Sequence, residues 1–205
     1  MMDCGADWLK ALSSVAPTAI ILTHAHLDHA EGLASGAPCG VYATGETWSR
    51  IARYPIEDRR IVEPRIPFTV GGVKFEAFPV EHSINAPAVG YRIGAGRSTF
   101  FYVPDLAAIK DQHGALRGVA FYVGDGASIV RSMVRARDHV LIGHAPVRTQ
   151  LGWCEQEKVG RAIFTHCGSE IVRGDARRVK ARVRDLGREH GVDASLAYDG
   201  LTLSL

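Results

Sequence analysis

The sequence predicts an α+β protein built as a two-sheet sandwich, and three observations predict it. Apolar, strand-like runs alternate with helical stretches in both halves of the chain. The middle, Arg60 to Phe101, is a succession of hairpins, which a doubly wound parallel sheet does not contain. Several apolar runs also end directly in a histidine or an aspartate, the design of a site assembled along a sheet edge. At 205 residues, with no internal repeat, low-complexity tract or linker, residues 1–205 are expected to form one domain with a substantial core.

Hydrophobic content of 46% and charged content of 22% are those of an ordinary soluble globular chain. The formal charge of +2 gives no overall electrostatic case for a membrane, and nucleic acid is not the favoured partner. Arginine is dense in the last third, from Arg131 to Arg188, and reads as solvated helix faces in preference to a phosphate-attracting surface. Cys4, Cys39, Cys154 and Cys167 show no C-x-x-C pair or framework spacing, so a disulfide scaffold is not expected. No signal peptide precedes Asp3, and no apolar run approaches the roughly 20 residues that span a bilayer. A reduced, cytoplasmic protein is the expectation.

Taken in order, Met1 to Gly5 reads as the end of a strand and a turn, and Asp7 to Ser14 as a short helix. Ala19 to Leu22 is a buried strand. Ala30 to Ser35 is a short helix closed by Gly36, Gly40 to Thr44 a strand, and Glu46 to Tyr54 a helix. The β region follows: Ile61-Val62, Phe68 to Val70, Val73 to Val80, Val89 to Ile93 and Ser98 to Val103. Gly71-Gly72 and Gly94-Ala95-Gly96 supply its turns. The last third alternates: strand Val119 to Val123, an irregular Gly-rich segment, strand Val140 to Ile142, helix Val147 to Lys158, strand Ala162 to Thr165 and helix Asp175 to His190. Strands Ala194 to Ala197 and Leu201 to Leu205 close the chain.

Chemistry concentrates in Thr23-His24-Ala25-His26-Leu27-Asp28-His29, directly after the first buried strand. Three imidazoles and a carboxylate fall within six residues, and these are ligands for zinc, iron or manganese. In an extended chain His24 and His26 point the same way. Asp28 and His29 need a turn to reach a neighbouring position, so the spacing suggests two adjacent metal positions. A surface cluster of histidines is the bland alternative, and it fits poorly behind an apolar strand.

This stretch resembles the H-x-H-x-D-H signature of the metallo-β-lactamase superfamily and matches it at every defined position. The resemblance, which extends over nearly the whole chain from Asp3 onward, implies a four-layer αβ/βα sandwich with the metals at one edge of the two sheets. It also implies a hydrolase using a hydroxide held between two divalent ions, zinc first, with manganese or iron as alternatives. In the superfamily a strand ending in D-x-G, here Asp3-Cys4-Gly5, follows earlier strands of the first sheet. Those strands do not precede it here. An exposed edge would invite pairing with a second copy, a homodimer; a start codon placed too far downstream is the favoured reading.

The remaining ligands follow from the same resemblance. His82, after the strand Phe75 to Val80, is the third ligand of the first metal beside His24 and His26. His166, ending Ala162 to Thr165, joins Asp28 and His29 on the second. Asp105, closing the apolar run Phe100 to Pro104, bridges the two; an unpaired buried carboxylate would otherwise be costly. His113, His139 and His190 sit in polar surroundings and are expected at the surface.

The ligands alone do not choose a substrate. His144 is more informative, lying between the strand Val140 to Ile142 and the helix from Val147. The order strand, His, helix, strand, Thr-His resembles the ribonuclease Z and cyclic phosphodiesterase branch, where a histidine lies by the leaving group. The C-terminal Ala197-Tyr198-Asp199-Gly200-Leu201 also looks like the end of the cyclic phosphodiesterases. The segment after His144 lacks the His-Glu-Ala-Thr run of ribonuclease Z, and no long tRNA-binding arm is visible. Asp28 and His144 are the candidate catalytic residues, and a small or nucleotide-like phosphoester the expected substrate. Gly124 to Ser128 reads either as a phosphate-facing turn with Asp125 near the metals or as a loop bordering the site. Arg148 and Thr149 are candidate anion contacts. The rivals are a thioester or acyl-ester hydrolase of the glyoxalase II kind and a non-hydrolytic metal-binding interaction protein.

Overall fold

The computed structural model describes residues 1–203. Its smaller sheet is parallel, in the order β1 (Ala19–Ile21), β2 (Gly40–Ala43), β3 (Arg59–Ile61). Met1 to Asp3 lies along the free side of β1, with a bridge between Met2 and Ile21 and a hydrogen bond from Asp3 N to Ile21 O (2.9 Å). The larger sheet contains β4 (Phe68–Val70), β5 (Val73–Glu81), β6 (Ala88–Ala95), β7 (Ser98–Tyr102), β8 (Ala108–Ile109) and β9 (Phe121–Asp125). A separate hairpin, β10 (Arg135–Arg137) and β11 (Val140–Ile142), precedes its last two strands, β12 (Arg161–Thr165) and β13 (Asp193–Leu196). The order is β13-β12-β9-β7-β6-β5-β4, with β8 paired to β5.

Period-two side-chain alternation sorts the large sheet into two faces. Phe75 and Ala77 of β5, Val89, Tyr91 and Ile93 of β6, and Phe100 and Tyr102 of β7 pack towards the small sheet, against Ile21 and Val62. Phe78, Val80, Phe101, Tyr122, Ala162 and Phe164 point the other way, onto Val147, Leu151 and Cys154 of the helix Val147–Gln156 and Val183 and Leu186 of the helix Ala176–Glu189. A third cluster joins Ile20, Leu22, Val41 and Ala43 to Leu12, Trp48 and Ile51 on the outside of the small sheet. Helices, small sheet, large sheet, helices: the chain is the expected four-layer αβ/βα sandwich.

β5 to β7 are antiparallel neighbours, whereas β7, β9 and β12 are mutually parallel. Two reversals leave β5 running in the direction of β7, so the carboxyl ends of β5, β7, β9 and β12 all reach one edge. The carboxyl end of β1 arrives there too, where Val89 N bonds Thr23 O (3.1 Å) and the buried Tyr91 hydroxyl donates to Leu22 O (2.9 Å). Strand ends of an α/β sheet are where such folds place their sites.

Several elements differ from the expectation. Asp7 to Ser14 is a 3-10 turn (Ala6–Trp8) followed by a short helix Leu12–Val15. In place of the expected helix Ala30 to Ser35 there is a short helix Leu27–Ala30, with Asp28 and His29 in it, followed by a 3-10 turn Glu31–Leu33. The Gly-rich segment contains β10, whose exposed Arg-Ala-Arg carries no apolar alternation to announce a strand. Leu201 to Leu203 is not in a strand, and the rest of that expected element lies outside the described residues. All four cysteines are free thiols, and among the described residues no helix is long and apolar enough to cross a membrane.

Candidate metal centre

All seven expected ligands meet at the shared strand edge. His24, His26, His82 and Asp105 form one group and Asp28, His29, Asp105 and His166 a second; within each group one donor atom per residue lies within 4.8 Å of every other. Asp105 belongs to both. In the first group His26 Nδ1 stands 3.0 Å from His24 Nε2 and 3.2 Å from His82 Nε2, and His24 Nε2 is 3.4 Å from Asp105 Oδ2. Zinc–nitrogen bonds of 2.0–2.1 Å in a tetrahedron place donors roughly 3.3 Å apart, so these spacings suit one small divalent ion.

The hydrogen bonds behind the rings decide which nitrogen carries the lone pair. His82 Nδ1 faces the Gly143 carbonyl (3.1 Å), which can only accept; Nδ1 therefore holds the proton and Nε2 the lone pair. The Thr23 hydroxyl gives its hydrogen to Asp3, so its oxygen accepts from His24 Nδ1 (2.9 Å) and His24 Nε2 is left free. His29 Nδ1 donates to Asp3 Oδ2 (3.0 Å), so Nε2 is the nitrogen from which this ring would give up a proton to bind a metal. Each ring is held from behind through Nδ1 and turned so that Nε2 would face a metal. Burial holds His24 and His26 below the ordinary imidazole range and brings His82 down to about 4, so all three are neutral imidazoles at neutral pH.

The second group is charged. His29 Nε2 lies 2.8 Å from Asp105 Oδ2 and His166 Nδ1 2.9 Å from Asp105 Oδ1, yet neither contact has the angle of a hydrogen bond. His29 Nε2, His166 Nδ1 and Asp105 Oδ1 are buried polar atoms without a partner. Such orphans are costly in a folded core, and here they gather around one space, at ion-pair distance but without hydrogen-bond geometry. A cation in that space satisfies them together, so the donor set fits the divalent metals that the fold implies. Without it, Asp105 is held below the usual carboxylate range by His166 and His29 despite its burial. The carboxylates in turn raise both rings to about 10: Asp105 and Asp3 act on His29 against the effect of burial, and Asp105 and Asp28 act on His166. The exposed Asp28 bonds His166 Nε2 (3.1 Å) and is lowered to about 2, chiefly by that contact.

Local backbone geometry serves this assembly. Asp3 (φ 54°) and His166 (φ 50°) both adopt the left-handed region, which costs a non-glycine residue about 1 kcal/mol or more and is concentrated at functional sites. Gly5 lets the chain after Asp3 lie against the Asp28 backbone, where a Cβ would collide with the Asp28 carbonyl. Gly143 (φ 102°) presents its carbonyl to His82 while its N–H bonds His82 O (2.8 Å).

His144 also reaches the site. Its Nδ1 donates to Asp125 Oδ2 (2.8 Å) and lies 3.5 Å from Asp105 Oδ1, and its ring stacks on His166 at a centroid distance of 5.9 Å. Asp125 ends β9, so the segment Gly124 to Ser128 places a buried carboxylate within reach of the second group. Its oxygens also accept from Leu106 N (3.2 Å) and Ala127 N (2.7 Å). Gln150 clamps this corner: its oxygen accepts from Tyr122 Oη and Asp125 N, and its amide donates to Asp125 O and Ala145 O. The bond from Asp125 raises the His144 pKa, and burial raises that of Asp125.

Two expectations need correction, and two residues escaped notice. Arg148 lies at the outer face of its helix, lining a cavity with Arg178 and Arg182 and not the metal edge; Thr149, beside it, is also exposed. Both are out of phase with Val147, Gln150, Leu151 and Cys154, which face the sheet. Asp3 and Gln150 are the missed residues. A glutamine within an apolar helical stripe is a signal that could have flagged the second; Asp3 was visible only as part of D-x-G. His113, His139 and His190 lie outside the site, His113 and His190 bonded to Glu157 and Glu155. Tyr198 and Asp199 line a cavity beside His166 and Cys167.

Fold and donor set together define a class, the metal-dependent hydrolase architecture of the metallo-β-lactamase fold. The chain belongs to the beta-lactamase superfamily domain family, whose model matches residues 1–167. Among solved structures it is similar to a diphosphatase of the PhnP family (22% identity, TM-score 0.70, covering 100% of this chain and 79% of that one). It is also similar to the metallo-beta-lactamase fold protein YhfI from Bacillus subtilis (15%, TM-score 0.73, 98% and 84%). A third is an isothiocyanate hydrolase from Delia radicum gut bacteria (14%, TM-score 0.66, 95% and 79%). At these identities the likeness establishes the fold. No curated protein matches the chain by sequence.

Proposed function

We propose that the protein is a dinuclear metal-dependent phosphoesterase in which His144 protonates the leaving group. Two divalent ions, most simply zinc, held by His24, His26 and His82 on one side and Asp28, His29 and His166 on the other, with Asp105 between, would supply an activated water and polarise the oxygen it attacks. The chain's own residues do the rest. Asp28, ionised, exposed and bonded to His166 Nε2, would accept the proton of the attacking water. His144, its Nδ1 proton committed to Asp125, carries its exchangeable proton on Nε2, the position from which an imidazolium donates. A low carboxyl pKa and a raised imidazole pKa on neighbouring groups set base and acid apart.

The observation that carries this reading is the 2.8 Å bond between His144 and Asp125, because the alkoxide that leaves a phosphodiester needs such an acid and the thiolate that leaves a thioester does not. The diphosphatase relative agrees with phosphorus chemistry, although that activity is its own. The test varies the leaving group. His144→Ala is expected to lose about a hundredfold or more on a diester that releases an alkoxide, and far less on bis(p-nitrophenyl) phosphate. Equal losses on both would remove His144 as the proton donor. Turnover of thioesters or acyl esters, without diester turnover, would overturn the substrate class.

A further inference from the structure

Beside the first metal group lies a cavity of about 330 Å³ that none of the preceding chemistry uses. His26 and His82 form its inner wall, Ser83, Ile84 and Asn85 one flank, and the hairpin β10–β11 the other. Within the hairpin Arg135 pairs with Ile142 and Arg137 with Val140, so Arg135, Arg137 and Ile142 share one face, and that face borders the cavity. Arg135 makes no ion pair among the described residues, and Arg137 has only a distant one, 3.8 Å, to the exposed Asp138 at the turn. Its turn is a two-residue I′ connection without a glycine, with Asp138 (φ 51°) and His139 (φ 63°) both in the left-handed conformation. The hairpin's base is tied to the chemistry. Gly143 exchanges two bonds with His82, Met133 N bonds His144 O (3.3 Å), and Leu141 N bonds Glu81 Oε2 (3.3 Å).

Two guanidinium groups face a cavity that opens onto His26 and His82, with Asp138 the one acidic side chain among the described residues of its lining, a balance that suits an anion. Guanidinium recognises phosphate through paired hydrogen bonds. The scissile phosphate belongs at the metals, so the anion at the hairpin is a different one. We propose that this hairpin is a specificity flap that selects phosphoesters carrying a second, unreacted phosphate, held by Arg135 and Arg137, with Ile84 and Ile142 covering the apolar part of the substrate between. The inference rests on the phosphoesterase reading for its substrate class, and it assigns to two of the C-terminal arginines a role beyond solvating a surface.

Binding tests it independently of turnover. Adenosine 3′,5′-bisphosphate and adenosine 5′-monophosphate are titrated calorimetrically into zinc-loaded wild type, Arg135→Ala/Arg137→Ala and, as an arginine-loss control remote from the cavity, Arg177→Ala. Wild type and Arg177→Ala are expected to bind the bisphosphate at least about tenfold more tightly than the monophosphate, the worth of a charged hydrogen bond. The double variant should bind the two alike. A wild type that does not discriminate, or a preference that survives in the double variant, overturns the flap. Discrimination without any diester turnover would leave the flap standing and sink the phosphoesterase reading; diester turnover without discrimination does the reverse.

Discussion

Replacing Asp3, a residue that touches no substrate in this scheme, is expected to disable the second metal position. Its carboxylate accepts from Thr23 N (2.7 Å), the Thr23 hydroxyl (3.0 Å), His29 Nδ1 (3.0 Å) and Tyr102 Oη (3.3 Å). Asp3→Ala leaves at least two buried donors, His29 Nδ1 and Thr23 N, without an acceptor, at about 1–3 kcal/mol each. It also frees His29 to turn and to place its proton on Nε2. Loss of such an outer partner costs about 10–100-fold in metal affinity, or about 1.4–2.7 kcal/mol. The first position, reached only through Thr23 and His24, should suffer less. Asp3→Asn is no rescue, because every neighbour of the carboxylate is a donor and the amide nitrogen would face one of them. Competition against a chromophoric chelator resolves the two affinities, and thermal unfolding of the chelated protein measures the stability term. Unchanged affinity at both positions in Asp3→Ala would refute the claim that hydrogen bonds behind the rings set the ligand tautomers.

Other consequences follow from the same geometry. His24, His26 and His82 are already neutral near pH 7, whereas His29 and His166, raised to about 10, must each lose a proton to bind a cation. Uptake at the first position should therefore be nearly independent of pH around neutrality, while affinity at the second rises with pH until those rings are deprotonated. Calorimetry in buffers of differing ionisation enthalpy should show proton release for the second ion only; release of none would contradict the charged second group. Asp125→Asn removes the charge that raises His144, so the alkaline limb of the rate profile should move to lower pH, with the diester KM little changed. A profile that stays in place would reduce Asp125 to a structural residue. Gly143→Ala puts a Cβ against the Met133 carbonyl in a left-handed backbone, and about 1–3 kcal/mol of destabilisation with weaker metal binding at the first position is expected. Unfolding and metal titration of that variant would show the opposite if the loop simply relaxes.

The reasons these features were or were not legible in the sequence differ by element. The seven candidate ligand positions could be read because each ends an apolar strand or follows one within a short motif, and strand periodicity is a local signal. The same holds for β5 to β7, whose alternating faces and glycine turns announce hairpins. The link from Asp3 to His29 spans 26 positions and that from Asp125 to His144 spans 19, and neither leaves a local trace. Asp125 and His144 were visible singly; only the fold joins them. Arg148 was misplaced because proximity in sequence to His144 says nothing about which face of the following helix is buried. The hairpin β10–β11 was half missed for the converse reason: its residues face a cavity and solvent in place of a core, and so carry no apolar pattern.

The most direct measurement is metal content per chain by plasma mass spectrometry, taken with hydrolysis of bis(p-nitrophenyl) phosphate before chelation, after it, and on reconstitution. Two divalent ions per chain, with turnover lost on chelation and regained when both ions return, is the predicted result. A protein that takes up no metal on reconstitution, or that hydrolyses the diester equally well without it, would contradict the reading of this strand edge as a dinuclear hydrolytic centre.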